Sequence, residues 1–200
     1  MALKIQFNKI YLQQLRKELA IRENALPTLQ AKESALRLEV KRAQGEVEDA
    51  QKRLKAKERE ASATYRLWVE FPEGLVNVSA VDIDVKKIAG VKTPVFRGVR
   101  FEITPFSLFN APAWVPGGIE ILKQLTALRI EVEILRKAVE ILEFARKKTT
   151  QKVNLYEKVQ IPAYYEGIRK IKRFLEDEEN LSKSSQKILK TKMAAAEAAS

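Results

Sequence analysis

The 200-residue sequence predicts a mostly α fold: a long antiparallel two-helix coiled coil with a small β-hairpin insert between the helices. Three observations predict it. Two runs of about 60 residues carry apolar side chains at alternating three- and four-residue steps. Glycine and proline are scarce in both runs and crowd the segment between them. That middle segment alternates apolar with polar residues and is rich in Val, Ile and Phe, a strand pattern.

The first run extends from Tyr11 to about Leu67. Positions 12, 19, 26, 33, 40, 47, 54 and 61 read Leu, Leu, Leu, Glu, Val, Val, Leu, Ala. The interleaved positions 15, 22, 29, 36, 43, 50, 57 and 64 read Leu, Arg, Leu, Leu, Ala, Ala, Lys, Thr. Twelve of the sixteen are apolar, a stripe too narrow for a globular core helix and wide enough for one partner helix. Pro27 and Gly45 are the only proline and glycine between Ala2 and Trp68.

Residues 71–118 hold five glycines and five prolines. Leu75–Val85 and Pro94–Ile103 read as strands, with Lys86–Thr93 as the hairpin loop and Gly90 available for positive φ. Thr104–Gly118 reads as an apolar return loop. A lone two-stranded hairpin is marginal in water. Phe101, Phe106, Phe109 and Trp114 are therefore expected to cover the coiled coil or to sit against a partner.

The second run starts after the break at Pro116–Gly118. Ile121, Leu125, Leu128, Val132, Leu135, Val139 and Leu142 alternate steps of four and three, and Ile119, Ile130, Ile134 and Ile141 widen the stripe. After the polar stretch Arg146–Lys152 the seam resumes at Val153, Ile161, Tyr164, Ile168, Ile171 and Leu175. The eight-residue step from Val153 to Ile161 is a change of phase just before Pro162. A proline inside a helix removes a donor and costs about 3 kcal/mol. The chain thus divides into an N-terminal helix (1–70), a hairpin and aromatic loop (71–116), a C-terminal helix (117–190) and an Ala-rich tail (191–200), expected to be helical and frayed. Neither narrow-striped helix is stable alone, and the short connection makes antiparallel pairing the economical solution. Leu67 beside Ile119 puts Pro162 level with about residue 24, within a turn of Pro27. One shared bend at Pro27 and Pro162 is the expectation.

The chemistry is bounded by what is missing. With no cysteine and no histidine there are no disulfides, thiolates, Cys/His zinc sites or histidine-based triads. Phosphate-cradling glycine loops, HExxH, EF-hand and nucleophile-elbow patterns are absent. Glu131, Glu133, Glu140, Glu143 and Glu176–Glu179 have Lys and Arg neighbours and read as solvated helix faces. No catalytic residue, cofactor or metal is expected.

Lys and Arg exceed Asp and Glu by 11, which points to nucleic acid, an anionic membrane or an acidic protein surface. The excess is five in residues 1–70, one in 71–116 and five in 117–200, with denser spots at 52–59, 147–152 and 169–173. Such a spread favours solvated faces and an acidic protein sleeve over a nucleic-acid reader. No apolar run approaches the roughly 20 residues that span a bilayer. The first residues lack the apolar core of a signal peptide, so a cytoplasmic setting without direct membrane insertion is expected. A basic coiled-coil adaptor for nucleic acid or anionic membrane stays open as an alternative, as does a scaffold that dimerises through its hairpin aromatics.

The stretch Lys152–Glu179, "KVNLYEKVQIPAYYEGIRKIKRFLEDEE", resembles the C-terminal helix of the D subunit of V-type and archaeal-type (V/A-type) rotary ATPases. Lys152–Asn154, Glu157, Ile161–Pro162, Glu166, Ile168, Ile171, Leu175 and the acidic run carry the match. Lys86–Phe96, "KKIAGVKTPVF", is similar to the family's hairpin, and Leu29–Glu39 is similar to its N-terminal helix, with Lys32 and Leu36 in place. The order and spacing of the three cover nearly the whole chain.

The resemblance implies a central rotor shaft that binds no nucleotide. It implies insertion of the coiled coil into a hexamer of alternating catalytic and regulatory subunits. It also implies contact with the F subunit and with the subunit that links the shaft to the membrane ring. The shaft would couple ATP synthesis or hydrolysis to H⁺ or Na⁺ transport, on the cytoplasmic face of the membrane and peripheral to it. Candidate partner contacts are Ile88, Ala89, Gly90 and Val91 at the hairpin turn, Phe106, Phe109 and Trp114 in the loop, and Arg169, Lys170 and Arg173 on the C-terminal helix.

Overall fold

The computed structural model describes residues 5–62, 65–107, 109 and 111–197. Its elements are α1 (Lys9–Ser62), the short α2 (Tyr65–Trp68), β1 (Val76–Ile88), β2 (Val91–Ile103), α3 (Val115–Leu155) and α4 (Ile161–Glu197). A π-helical turn, Tyr156–Gln160, joins α3 to α4. The fold is the antiparallel helix pair with an inserted hairpin. Two compact units divide it, Met1–Ala31 with Thr149–Ser200 and Lys32–Lys148, and α1 and α3 contribute to both.

Asn8 starts α1. Its Oδ1 accepts the Tyr11 N–H at 2.6 Å and its carbonyl accepts the Leu12 N–H, the arrangement of an N-cap. Along α1 every described seam position is buried or half-buried, including the charged Arg22, Glu33 and Lys57, whereas the off-seam Ile10, Ile21 and Leu38 are exposed. Period 3.5 therefore decides burial even against residue type. Gly45 sits mid-helix, and a Cβ there meets nothing within 4 Å. Gly45→Ala should raise stability by about 1 kcal/mol, because alanine loses less backbone freedom in a helix. The check is a higher urea midpoint at unchanged slope.

In the first unit Leu12, Leu15 and Leu19 pack on Ile168 and Ile171, and Phe7 meets Phe174 with ring centroids 4.9 Å apart. From Phe7 to Glu23 the partner number falls from Phe174 to Tyr165, so the pairing is antiparallel. In the second unit Gln44 bonds Glu143 and Arg53 bonds Glu131, each at 2.8 Å, with the same sense.

The expected loop over Lys86–Thr93 is shorter in the structure. Ala89 (φ 48°) and Gly90 (φ 82°) alone make the turn, and Ile88 pairs directly with Val91. Two successive positive-φ residues form the tight turn whose twist matches antiparallel strands, so the ladder continues to its edge. Thr93 is buried and its Oγ1 donates to the Lys86 carbonyl at 3.1 Å. Cross-strand ion pairs join Arg97 to Asp84 and Arg100 to Asp82, both at 2.7 Å. The Asp84 carboxyl is held below its ordinary range, first by the hydrogen bond from Arg97 and then by the Val85 N–H. Its folded pKa is depressed, so its contribution is present above the unfolded value of roughly 4. That contribution is lost as the pH falls through the folded value. A carboxyl-carbon NMR titration should therefore show Asp84 titrating below the ordinary carboxylate range, and Arg97→Gln should move it back up.

The hairpin is anchored at both ends within the second unit. At its base Leu75, Val115 and Ile119 are buried together with Phe71, Val76, Phe106, Ala111 and Trp114 around them. At its tip Ile88 and Val91 pack on Leu36, Val40 and Leu142. From Ile119 to Leu142 α3 rises ~35 Å, and a strand from Val76 to Ile88 spans ~40 Å. The hairpin therefore lies back along the helices.

α1 is helical to Ser62 and Tyr65–Trp68 is helical again, with residues 63 and 64 outside the described residues; the Trp68 Nε1 donates to the Ala61 carbonyl at 3.3 Å. Two further boundaries differ from the sequence expectation. Pro116, Gly117 and Gly118 are the first turn of α3 rather than a break before it. Proline suits that turn because its missing N–H is not needed there. The Ala-rich segment continues α4 as far as Glu197, and residues 198–200 lie outside the described residues.

The phase change has a concrete form. The Ile161 N–H bonds the Tyr156 carbonyl, five residues back, and Leu155 and Ile161 on either side have ordinary helical angles. One extra residue is inserted, which turns a seven-residue step into eight. Pro162, which offers no N–H, follows directly. α1 continues through Pro27 without a break.

Candidate interaction surfaces

The candidate contacts fall into three groups. At the hairpin tip, Ile88 and Val91 are packed on the chain's own helices, and Ala89 and Gly90 form the turn between them. A Cβ on Gly90 would stand 3.7 Å from the Lys32 ammonium. In the return segment Phe106 and Trp114 join the base cluster, while Phe109 is fully exposed. Trp114 packs edge-on to Trp68 at 5.6 Å and tilted on Phe71 at 5.8 Å. Its Nε1 is buried with no hydrogen-bond acceptor among the described residues.

Arg169, Lys170 and Arg173 are exposed on α4, in the first unit. Lys170 pairs with Glu166 at 2.9 Å, and that contact lowers the Glu166 pKa, first through the hydrogen bond. Beyond Leu175 every residue of α4 to Ala194 is exposed, among them Leu181, Ile188, Leu189 and Met193. Pro27 and Pro162 are exposed too. Arg22 and Glu23 reach Gln160 and Tyr165, one on each side of Pro162. Pro27 is four residues past Glu23, ~6 Å along α1.

One group is missing from the sequence expectation. Arg22 occupies a seam position, half-buried, and contacts residues at both ends of the π turn. Its signal was legible as a charge out of pattern in an apolar series. What it touches depended on the partner helix.

Among the described residues no group of three or more acidic side chains could hold a metal ion, and no helix is long and apolar enough to cross a membrane. The ion pairs are mostly exposed and within one helix, at three- or four-residue spacing. Such pairs contribute little each and exchange readily. Fold and surface together define a coiled-coil protein with an inserted β-hairpin.

A family model described as the ATP synthase D subunit matches residues 11–191, and the chain belongs to that family. The V-type ATP synthase D subunit of Borreliella burgdorferi is 32% identical over 196 residues, covering 95% of each chain. The protein of that name from Chlamydia pneumoniae is 28% identical, over 88% of this chain and 87% of its own. That from Chlamydia muridarum is 27% identical, over 84% and 85%.

Proposed function

We propose that the chain is the central-stalk subunit of a V/A-type rotary ATPase, a non-catalytic shaft between the ion-translocating ring and the catalytic hexamer. The observation that carries this reading is the match over residues 11–191, which takes in both long helices and the hairpin between them. Its partners are the catalytic and regulatory subunits, the F subunit and the subunit joining the shaft to the ring. It sits on the cytoplasmic face of the membrane as a peripheral part of the complex.

The physical properties suit that task. Torque passes along a helix pair through interlocked side chains, and seam residues of the two helices pack together in each unit. A shaft must also turn past its sleeve, and exposed, locally paired charges favour contacts that break easily. Net charge of +11 favours an acidic sleeve without selecting one angle. We further propose that Pro27 and Pro162 mark a bend, which lets one shaft impose different states on three nucleotide sites. Arg169, Lys170 and Arg173 are the proposed sleeve contacts. Phe106, Phe109, Trp114 and the hairpin turn Ile88–Val91 are assigned to the other partners.

The test is a deletion of the gene in its native host. ATP-driven transport of H⁺ or Na⁺ into membrane vesicles should be lost, while the hexamer of catalytic and regulatory subunits still assembles. Pull-down of the tagged chain should retrieve those subunits. Vesicles that still transport, or a pull-down without ATPase subunits, would overturn the reading. Steeply salt-dependent binding of the isolated chain to DNA or anionic vesicles would instead favour the adaptor.

A further inference from the structure

Position 22 belongs to the seam series Leu15, 22, Leu29, where an apolar residue is expected. Arginine stands there, and its side chain is only 18% exposed. Nε donates to Gln160 Oε1 at 2.7 Å, and Nη1 donates to the Glu18 carbonyl at 2.9 Å and to the Glu18 carboxylate. The guanidinium carbon lies 4.7 Å from the centroid of the Tyr164 ring and 5.9 Å from that of Tyr156. Tyr156 opens the π turn, Gln160 closes it, and Tyr164 lies one turn beyond. One side chain of α1 thus holds residues before, at the end of and after the inserted residue.

We propose that Arg22 is a positioning residue that locks the register of the helix pair by fixing where the extra residue of the π turn sits. An inserted residue rotates everything after it by about 100° relative to an unbroken helix. Placed one turn earlier or later, it would turn the intervening side chains to a different face. Apolar seam residues distinguish such neighbouring registers poorly, because one aliphatic contact replaces another. A half-buried guanidinium distinguishes them well. Its Nε donor finds Gln160, and its plane finds the Tyr156 and Tyr164 rings, when those three residues point at it. A polar seam residue that specifies register at some loss of stability is established coiled-coil behaviour. The lock stands on this geometry alone. Its consequence, that a slipping register transmits torque imperfectly, rests on the shaft reading above.

The chain has no cysteine, so introduced cysteines can carry spin labels cleanly. Labels at Lys17→Cys and Lys172→Cys, both exposed, report the distance between α1 and α4 in the full chain. The parent should give one distance. Arg22→Leu should give a second, resolved distance and roughly tenfold faster amide exchange over residues 160–165. Arg22→Lys, which keeps the charge but lacks the fork, should fall between. Gln160→Ala should act in the same direction as Arg22→Leu. Leu29→Ala serves as the control for plain destabilisation and should lower the Tm without a second distance. In a background lacking Lys158, with no extra residue to place, Arg22→Leu should raise the Tm instead of lowering it. One unchanged distance in both Arg22→Leu and Gln160→Ala, or an equal Tm loss in both backgrounds, overturns the lock. In the assembled, reconstituted complex Arg22→Leu should move fewer ions per ATP while hydrolysis continues. A second distance together with unchanged coupling overturns the consequence and leaves the lock standing.

Discussion

Leu142→Ala should destabilise the protein by about 2–5 kcal/mol and release the hairpin tip in the same step. Leu142 is 1% exposed and packs with Leu36 and Val40 from α1. Ile88 and Val91, the residues on either side of the hairpin turn, close over the same cluster. Truncation removes the transfer energy of the lost carbons and leaves a cavity that stiff helices collapse poorly. Two events should therefore coincide. The equilibrium midpoint falls, and amide exchange rises together at residues 36–43 and 86–93. Val85→Ala, on a side chain 61% exposed on the same hairpin, should change stability by no more than about 0.5 kcal/mol. If the tip exchanges no faster in Leu142→Ala than in the parent, the hairpin is held by its base alone.

Gly118→Ala should cost about 1–3 kcal/mol, although alanine is the better helix former. A Cβ at 118 would stand 2.7 Å from Cζ3 and 3.1 Å from Cε3 of Trp114, and 3.3 Å from the Phe71 ring. These are rigid ring atoms in a cluster that also contains Trp68, so the indole must leave its place or the helix start must shift. Gly117→Ala is the matched control, since a Cβ there meets nothing within 4 Å. It should be neutral or mildly stabilising. Near-ultraviolet circular dichroism separates the cases: the tryptophan signal should collapse in Gly118→Ala and persist in Gly117→Ala. Equal stabilities for the two variants would remove the argument that Trp114 dictates glycine at 118.

The two substitutions probe the two ends of the hairpin, where sequence reasoning reached least far. The strand pattern was legible because alternation is a local property. Its extension to Ile88 and Val91 was not, because Lys86 and Lys87 look like loop residues until the turn is known to need only Ala89 and Gly90. Likewise the run Pro116–Gly118 has the composition of a break. It becomes a helix start because Trp114 covers it, and Gly118 leaves room for that ring. Phe106 and Trp114 were expected to need cover and obtain it from the base cluster, whereas Phe109 remains exposed.

By itself the sequence determined the order of helix, hairpin and helix, the seam along α1, and the phase reset ahead of Pro162. Each of these is written in residue spacing, and spacing converts directly into a face of a helix or strand. Tertiary structure alone decided that the hairpin tip lies on Leu36 and Leu142, that the reset takes the form of a π turn, and that Arg22 holds it. Those outcomes join residues about 50 to 140 positions apart, and they depend on which side chains come level once two helices have paired.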